Sequence, residues 1–373
     1  VRLGAALWWF WYFRGNWGEG RGWLDETLAR GSPMDSVARA RATDGAGMLA
    51  YLHRDLAPAR SLLEQGVSLW RRLDVATGLG YALTFLSIVM RDLKDLPAAL
   101  AASEESVRRL RPPGDSWGLA FSLVCLGNVA RDLGDHDRAL ASYQESLLLW
   151  RETGDQWGLG LCVGNLATLA HRRGDLATAR ALAEQSLSIR RTAGDRFLID
   201  SELARTGAVA RSQRDYGRAV ALFEEKLALD RDIGHGAGIA WSLQNLGYVA
   251  LERGDLRQAA ALLREGLLLH AQAHHPLGVA LCLGGLARLA AAEGASATAA
   301  RLLGAAAGYV DALGDPGSIA PTEMADQATN ITLAQRLVRD PMSGRAFAEG
   351  RAMEPEEAIA AALREGAGAS SPL

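Results

Sequence analysis

Four basic side chains recur along this chain at intervals of 40 residues, namely Arg91, Arg131, His171 and Arg211. Aromatic or small polar residues stand at fixed offsets before these positions. If the chain folds into repeated elements, each set falls on one face and forms a ladder with steps of about 10 Å. Guanidinium and imidazolium groups beside aromatic rings suit an acidic or phosphorylated peptide, or a nucleotide-like ligand. The alternative interpretation is a solvated surface, on which arginine is common.

We take eleven residues as the candidate ligand-binding set. They are Tyr81, Arg91, Phe121, Asn128, Arg131, Thr168, His171, Arg211, Trp241, Gln244 and Tyr248. Within this set Trp241, Gln244 and Tyr248 lie at spacings of three and four, so they form a second cluster on one helical face.

Residue patterns typical of catalysis or metal binding are few. The sequence has no HExxH, GxxxxGK[ST] or Gly-x-Ser-x-Gly motif, and no GxGxxG after a strand. His274-His275 lies at a predicted turn without a neighbouring cysteine or carboxylate pair, so we favour a solvated turn over a metal site. Glu104-Glu105 and Glu224-Glu225 favour solvated helix surface. We therefore predict no enzymatic activity, no metal and no cofactor.

The elements that position the candidate residues repeat along most of the chain. The stretch from Gly118 to Trp157 is the clearest copy. Shifts of 40 residues in both directions find matching segments that begin at Ala38, Gly78, Gly158, Leu198, Gly238 and Gly278. A fixed period in this range is typical of a stacked repeat array.

Each repeat fits two amphipathic helices joined by a tight turn. In the clearest copy, apolar or small residues recur at spacings of three and four from Leu119 to Leu133, and again from Ala139 to Trp150. Gly134-Asp135 separates the two sets. Glycine can adopt the left-handed conformation that ends a helix, and aspartate can cap the helix that follows.

Small residues recur where paired helices must approach closely. One repeat position holds Gly127, Ala167, Gly207, Gly247 and Ala287, and another holds Ala139, Ala179, Ala219, Ala259 and Ala299. Leu126-Gly127 followed by Ala139-x-x-x-Tyr143 resembles the tetratricopeptide repeat. Alanine stands where that family usually has tyrosine, and the repeat exceeds the family's roughly 34 residues.

The resemblance implies an all-α fold, a right-handed α-α superhelix (solenoid) of helix-turn-helix repeats of about 40 residues. In such arrays the first helix of each repeat lines a concave groove. The candidate ligand-binding residues fall on first helices, so the resemblance places them in that groove.

Composition restricts the other classes of function. The chain is 49% hydrophobic and 22% charged with a formal net charge of −3, so no strong field draws it to nucleic acid or a membrane. Cys125, Cys162 and Cys282 lack CxxC spacing and are interpreted as buried reduced thiols, which fits a cytoplasmic protein.

The two ends depart from the regular repeat. Residues 1–32 form an N-terminal repeat in which the apolar run Leu7–Phe13 is a first helix and Gly15-Asn16 the turn. We expect its aromatic edge to pack on an upstream domain, with plain repeat core as the alternative. Residues 33–315 form the array after a break at Gly31-Ser32-Pro33. Asp315-Pro316-Gly317 then precedes a C-terminal helical cap.

Within that cap, residues 316–373, we predict helices over 322–338, 344–350 and 354–363. A turn is predicted over 341–344, and a disordered tail from residue 366.

The layout also resembles the C-terminal half of bacterial ATPase-type transcription regulators, the LuxR and AfsR-like group. Three segments carry the resemblance: ALWWFWYFRGNWGEGRGWLDETL, RLLGAAAGYVDALGDP and AFAEGRAMEPEEAIAAAL. It implies a sensor arm that follows an ATPase module, often with a DNA-binding domain, neither of which can be placed in these residues.

Two functions of different classes follow. The first is a non-enzymatic sensor that binds a partner protein, a peptide or a small inducer in its groove and relays this to the upstream ATPase domain. The second is a free-standing scaffold for protein–protein assembly, in which the groove is empty and the array self-associates.

Overall fold

The computed structural model describes residues 2–30, 36–112, 114–194, 196–313 and 320–364. The predicted breaks around residues 31–33 and 315–317, and the tail from residue 366, lie outside these ranges. The domain boundaries placed after residues 32 and 315 therefore stay predictions. In the described residues all regular structure is helical, which confirms the predicted all-α class.

Nineteen helices lie in the described ranges. They are α1 (Arg2–Arg14), α2 (Trp17–Arg30), α3 (Val37–Leu52), α4 (Leu56–Leu73), α5 (Ala76–Asp92), α6 (Leu96–Leu110), α7 (Ser116–Asp132), α8 (His136–Thr153), α9 (Gln156–Arg172), α10 (Leu176–Ala193), α11 (Arg196–Ser212), α12 (Tyr216–Ile233), α13 (Gly236–Glu252), α14 (Leu256–Gln272), α15 (Pro276–Ala292), α16 (Ser296–Leu313), α17 (Pro321–Leu337), α18 (Pro341–Arg351) and α19 (Pro355–Arg364). From α6 to α16, each helix begins 40 residues after its counterpart in the preceding repeat, as the sequence period predicts.

The chain divides into two compact units, Val1–Leu169 and Ala170–Leu373, with the boundary inside α9. In unit 1, helix pairs from α1/α2 to α7/α8 pack in sequence, and first helices contact one another, as α5 does α7. In unit 2 the pairs α11/α12, α13/α14 and α15/α16 stack in the same way. Both units are therefore built from stacked helical hairpins, the tetratricopeptide-like arrangement.

Close approach within a hairpin depends on a small residue facing a large one. A Cβ atom added to Gly127 would lie 2.5 Å from the Tyr143 ring, and one added to Gly207 would lie 2.5 Å from the Phe223 ring. Both rings are fully buried. This confirms that large side chains fill the space left by the small repeat positions.

The turns follow the predicted chemistry. Gly134 has a φ of +81°, and Asp135 accepts a hydrogen bond at 3.1 Å from the backbone N–H of Arg138. Arg54, Lys94 and Arg214 replace this glycine in three repeats and also adopt positive φ.

Replacing Asp135 with alanine is expected to lower the free energy of unfolding by about 1 kcal/mol, because the side-chain hydrogen bond that caps the Arg138 N–H is lost. Asp55 is the matched control, since it occupies the same position before α4 but makes no side-chain cap hydrogen bond. Urea denaturation of Asp135→Ala and Asp55→Ala compares the two. Equal shifts in the midpoint would show that the side-chain cap contributes nothing.

The ends of the chain confirm most predicted helices and correct one. The N-terminal hairpin has its turn at Gly15-Asn16, and α17 and α19 lie within about one residue of the predicted spans. The turn predicted over residues 341–344 was wrong, because α18 already begins at Pro341. Asp340 caps this helix by accepting from the Ser343 N–H at 2.9 Å, and proline is well tolerated at a first helical position.

Among the described helices, we find no segment that combines the length and apolar character required to cross a bilayer.

Candidate functional site

Four candidate residues of unit 2, Arg211 on α11 and Trp241, Gln244 and Tyr248 on α13, lie at or beneath a surface that helix α17 covers. Arg288 on α15, which the sequence analysis did not select, belongs to the same surface. We call this surface the first-helix face and define it by Arg211, Trp241, Tyr248 and Arg288. Helix α17 packs against α11, α15 and α16. Its acidic residues meet the basic and aromatic groups of this face.

Arg211 is the centre of these contacts. Its Nη1 and Nη2 atoms donate to the two carboxylate oxygens of Asp326 at 2.8 and 2.6 Å, and its Nη2 also donates to Glu252 at 2.6 Å. The guanidinium lies 4.8 Å from the centre of the Tyr248 ring. Arg211 and Asp326 are 5% and 3% exposed, so this is a buried, bidentate ion pair.

The electrostatics of Arg211 keep it charged. Burial opposes the charge, but the hydrogen bonds and negative charges of Asp326 and Glu252 outweigh burial and raise the pKa of Arg211. Arg288 adds a second cation 3.4 Å from Asp326. Two guanidinium groups therefore hold one carboxylate of α17.

Trp241 forms the other anchor for α17. Its indole N–H donates to Glu323 at 3.0 Å, while Lys226 lies 5.6 Å from the centre of its ring. Glu323 also accepts from the Ala320 N–H, and burial raises the pKa of its carboxyl group. The acidic first turn of α17 is thus held between the Trp241 indole and the basic groups of the first-helix face.

Tyr248 and Gln244 are buried beneath this surface. The Tyr248 hydroxyl donates to the Leu281 carbonyl at 2.7 Å, and Gln244 is 1% exposed with no hydrogen-bond partner for its amide. The structure therefore brings Arg211, Trp241 and Tyr248 together as one site, with Gln244 inside the core next to it.

In unit 1 the candidate cations are paired with neighbouring repeats. Arg91 lies 3.8 Å from Asp132, and Arg131 lies 3.0 Å from Asp132 and donates to Asn165 at 3.2 Å. Asn128 accepts from the Tyr143 hydroxyl at 2.7 Å. The Arg91–Asp132 and Arg131–Asn165 contacts join successive repeats, and all three candidate side chains already have partners within the protein.

The remaining candidates make contacts of other kinds. Tyr81 and Phe121 belong to an aromatic cluster around Trp117, with ring centres 6.2 and 5.6 Å from it. The Thr168 hydroxyl donates to the Gly164 carbonyl at 3.2 Å. His171 is buried 2.8 Å from the Ser212 hydroxyl, and burial together with the charge of Arg172 lowers its pKa to about 4.

A repeat register explains these pairings and was missed in the sequence. In four cases the residue after a ladder position pairs with the ladder residue of the previous repeat, 41 positions earlier. These are Tyr51 with Asp92, Arg91 with Asp132, His171 with Ser212 and Arg211 with Glu252. The detectable signal was the recurring polar residue directly after the ladder position.

A buried charge cluster in unit 2 was also missed. Lys226 lies 2.6 Å from Asp200 and 2.8 Å from Asp230, and His235 lies 3.0 Å from Asp230. Burial raises the pKa of Asp200. The two aspartates and His235 are spaced closely enough for a metal ion. The Lys226 ammonium already bonds both carboxylates, so it supplies the positive charge there.

The other polar pairs are surface features. Glu105 and Glu225 pair with Arg71 and Arg191 on neighbouring second helices. Such exposed pairs contribute little to stability.

The His275 imidazole accepts from the Gly278 N–H and caps α15. Cys125, Cys162 and Cys282 are buried free thiols, as predicted.

Comparison with known proteins supports the repeat assignment. Sequence models of the tetratricopeptide repeat match residues 118–192 and 203–237, which confirms the predicted repeat type in these segments. No curated protein matches the sequence.

Similar solved structures include three that concern signalling proteins. A Rap protein complexed with competence and sporulation factor is 12% identical with a TM-score of 0.60, covering 90% of this chain and 98% of that one. The quorum sensor NprR from B. thuringiensis in its apo form is 13% identical with a TM-score of 0.52, covering 73% and 82%.

The third is a signal transduction ATPase with numerous domains that carries a tetratricopeptide repeat sensor, from Pyrococcus horikoshii. It is 12% identical with a TM-score of 0.58, and the match covers 94% of this chain but 53% of that chain. At these identities the likeness establishes the fold: this chain has the tetratricopeptide-like helical repeat fold.

Proposed function

We propose that this chain is a non-enzymatic sensor module that binds an acidic helical segment of a partner protein or peptide on the first-helix face. Binding there replaces α17 and releases the C-terminal helices. The observation that carries the proposal is the bidentate ion pair between Arg211 and Asp326. Arg288 adds a second cation beside Asp326, and Trp241 donates to Glu323 on the same helix. The face already binds one acidic helix, which is its own.

The charge arrangement sets the chemistry of the partner. Arg211 and Arg288 recognise the carboxylate that Asp326 presents, and the Trp241 N–H donates to a second carboxylate one helical turn earlier, that of Glu323. A partner helix with two acidic residues three positions apart therefore fits. The Rap complex and the tetratricopeptide sensor of the Pyrococcus ATPase support a regulatory role for such a module.

The regulatory context extends the proposal. The resemblance to LuxR and AfsR-like regulators supports an upstream ATPase domain that receives the signal when α17 leaves the face. A free-standing scaffold that self-associates is the competing interpretation. Sedimentation of the chain over a range of concentrations separates the two, because the scaffold requires concentration-dependent assembly.

The direct test uses a fluorescein-labelled peptide with the sequence of residues 320–338. The intact chain is expected to bind it weakly, because tethered α17 competes at an effective concentration in the millimolar range. The Glu323→Ala/Asp326→Ala variant is expected to bind it at least tenfold more tightly. Adding Arg211→Ala to this variant should abolish the gain, as measured by fluorescence anisotropy.

The matched control is Asp311→Ala/Glu349→Ala. These two acids form exposed ion pairs with Arg351 and Arg301, away from the first-helix face. This variant should bind the peptide as weakly as the unaltered chain. Equal binding by all variants, or binding that survives Arg211→Ala, would contradict the proposal.

A small inducer is the second candidate ligand, and an apolar cavity beside α17 favours it. The cavity has a volume of about 420 Å³ and is lined by residues of α16 and α17 such as Ala306, Val310 and Ile331. Asn330 and Gln327 each place a buried amide atom without a hydrogen-bond partner at this cavity. The dye 1-anilinonaphthalene-8-sulfonate should bind here and be excluded by Ala306→Phe. Unchanged dye fluorescence in that variant would reject the site.

A further inference from the structure

A second cavity, in unit 1, has a composition that differs from both sites in unit 2. Its volume is about 530 Å³, which falls within the range of small-molecule sites. The walls come from α1, α3, α4, α5 and α7 and include six aromatic side chains. These are Trp8, Trp9, Trp70, Tyr81, Phe85 and Trp117.

The aromatic rings meet one another edge to face and in stacks. Trp8 packs edge-on against Phe85 at 5.5 Å between ring centres, and Trp9 packs edge-on against Trp117 at 6.0 Å. Tyr81 stacks on Trp117 at 6.2 Å. Several aromatic rings are therefore held in fixed positions around one space, and the electron-rich face of such a ring attracts a cation.

A buried carboxyl group lies in the wall of the same cavity. Asp44 is 4% exposed, and its Oδ2 atom accepts from the Trp70 indole N–H at 2.6 Å. Its Oδ1 atom has no hydrogen-bond partner and packs over Gly66, where a Cβ atom would lie 2.0 Å from it. A buried carboxyl group with one unsatisfied oxygen costs stability unless a ligand or a proton compensates it.

We propose that this aromatic cavity binds an organic ammonium compound, with the cation among the tryptophan rings and next to Asp44. The volume and the apolar walls fit a compound whose ammonium group is attached to an aromatic or aliphatic body. The other charged group at the cavity is Arg41, which is exposed and therefore lies toward solvent. Among the residues that line this cavity, none is a buried cation that could pair with an anionic ligand. Asp44 therefore selects against anions.

Release of a proton from Asp44 on binding gives the site a second signature. In the empty protein, burial raises the pKa of Asp44 to about 8, although the Trp70 hydrogen bond lowers it. Because the folded pKa lies above the ordinary value of 3.8, the neutral carboxyl is favoured and stability is lost as pH rises toward 8. A bound ammonium favours the carboxylate, so binding releases a proton to the buffer and tightens as pH rises from about 6 to 8.

Tyr81 also lines the cavity, but burial and the nearby Asp115 raise its pKa, so its hydroxyl stays neutral in this interval. Asp44 is therefore the group whose charge follows pH between 6 and 8.

The experiment measures tryptophan fluorescence of the full chain during titration with benzyltrimethylammonium. Choline and its uncharged isostere 3,3-dimethylbutan-1-ol are titrated in the same way, because these two compounds differ only in the positive charge. We expect saturable binding of both cations, at least tenfold weaker binding of the alcohol, and tighter binding at pH 8 than at pH 6.

Two variants locate the site. Asp44→Asn and Trp117→Leu are each expected to weaken binding of benzyltrimethylammonium at least tenfold. Trp23→Leu serves as the control, because Trp23 is 56% exposed and does not line the cavity. Equal binding of choline and the alcohol, absence of saturation, or unchanged binding in both site variants would overturn the proposal. The isostere comparison uses the unaltered chain, so it is decisive even if a variant folds poorly.

Discussion

Replacing Lys226 with methionine is expected to lower the free energy of unfolding of unit 2 by about 3–5 kcal/mol, because the change leaves two buried carboxylates without a cation. Lys226 is 3% exposed and bonds Asp200 and Asp230 at 2.6 and 2.8 Å. Burial already raises the pKa of Asp200, so loss of the ammonium raises it further. Urea denaturation followed by far-ultraviolet circular dichroism measures the change.

The neighbouring surface pair provides a matched control. Arg191 and Glu225 form an ion pair between the second helices α10 and α12, and their side chains are about half exposed. Arg191→Met should therefore cost less than about 1 kcal/mol. The Lys226→Met/Asp200→Asn/Asp230→Asn variant, which removes all three charges, should regain part of the loss. A Lys226→Met chain as stable as the Arg191→Met chain would show that the buried cluster is not ionised as described.

Replacing Asp326 with alanine is expected to free α17 from the first-helix face. The change leaves the Arg211 cation with Glu252 as its remaining carboxylate partner and removes the nearest anion from Arg288. Breaking a buried ion pair on one side costs about 3 kcal/mol or more, which corresponds to roughly 100-fold faster local hydrogen exchange. Exchange of the amides in α17, followed by mass spectrometry, measures this opening.

A double-mutant cycle tests whether the Arg211–Asp326 ion pair is what holds α17 in place. Arg211→Met/Asp326→Ala removes both charges, so its α17 should exchange more slowly than that of Asp326→Ala alone. Glu349→Ala is the control, because Glu349 on α18 forms a more exposed ion pair with Arg301 on α16. If Asp326→Ala and Glu349→Ala changed exchange in α17 equally, the Arg211 pair would not be what holds this helix.

The regular part of the fold could be predicted because each repeat carries its own signals. The spacing of apolar residues, the glycine before each cap and the aspartate that follows are local properties of the chain. Gly134-Asp135 is therefore sufficient to place the turn between α7 and α8. The small residue at Gly127 likewise predicts the large partner at Tyr143, because both belong to one hairpin.

The candidate site could be predicted only in part, because its partners lie far away in the sequence. Arg211 and Trp241 were found from repeat spacing, yet Asp326 is 115 residues from Arg211, in a segment outside the repeat. No short-range sequence pattern predicts where such a segment packs. The same spacing also selected Arg91 and Arg131, whose neighbours Asp92 and Asp132 bind them within the array.

Comparison of the repeats contains a signal for the buried ion pair of Lys226. Two earlier repeats have Ser106 and Ser146 at this position, each donating to a backbone carbonyl 26 residues before it. Lys226 instead donates to the side chain of Asp200, also 26 residues earlier. A lysine and an aspartate that replace small residues at two contacting repeat positions therefore predict a buried ion pair.

The measurement that tests the central claim most directly is hydrogen exchange of α17 in the unaltered chain, with and without an excess of the peptide of residues 320–338. If the peptide takes the place of α17 on the first-helix face, exchange over Pro321–Leu337 becomes at least tenfold faster, while α13 beneath the face stays protected. Peptide binding at the same concentration with unchanged protection of α17 would contradict displacement. It would place the peptide on a different surface.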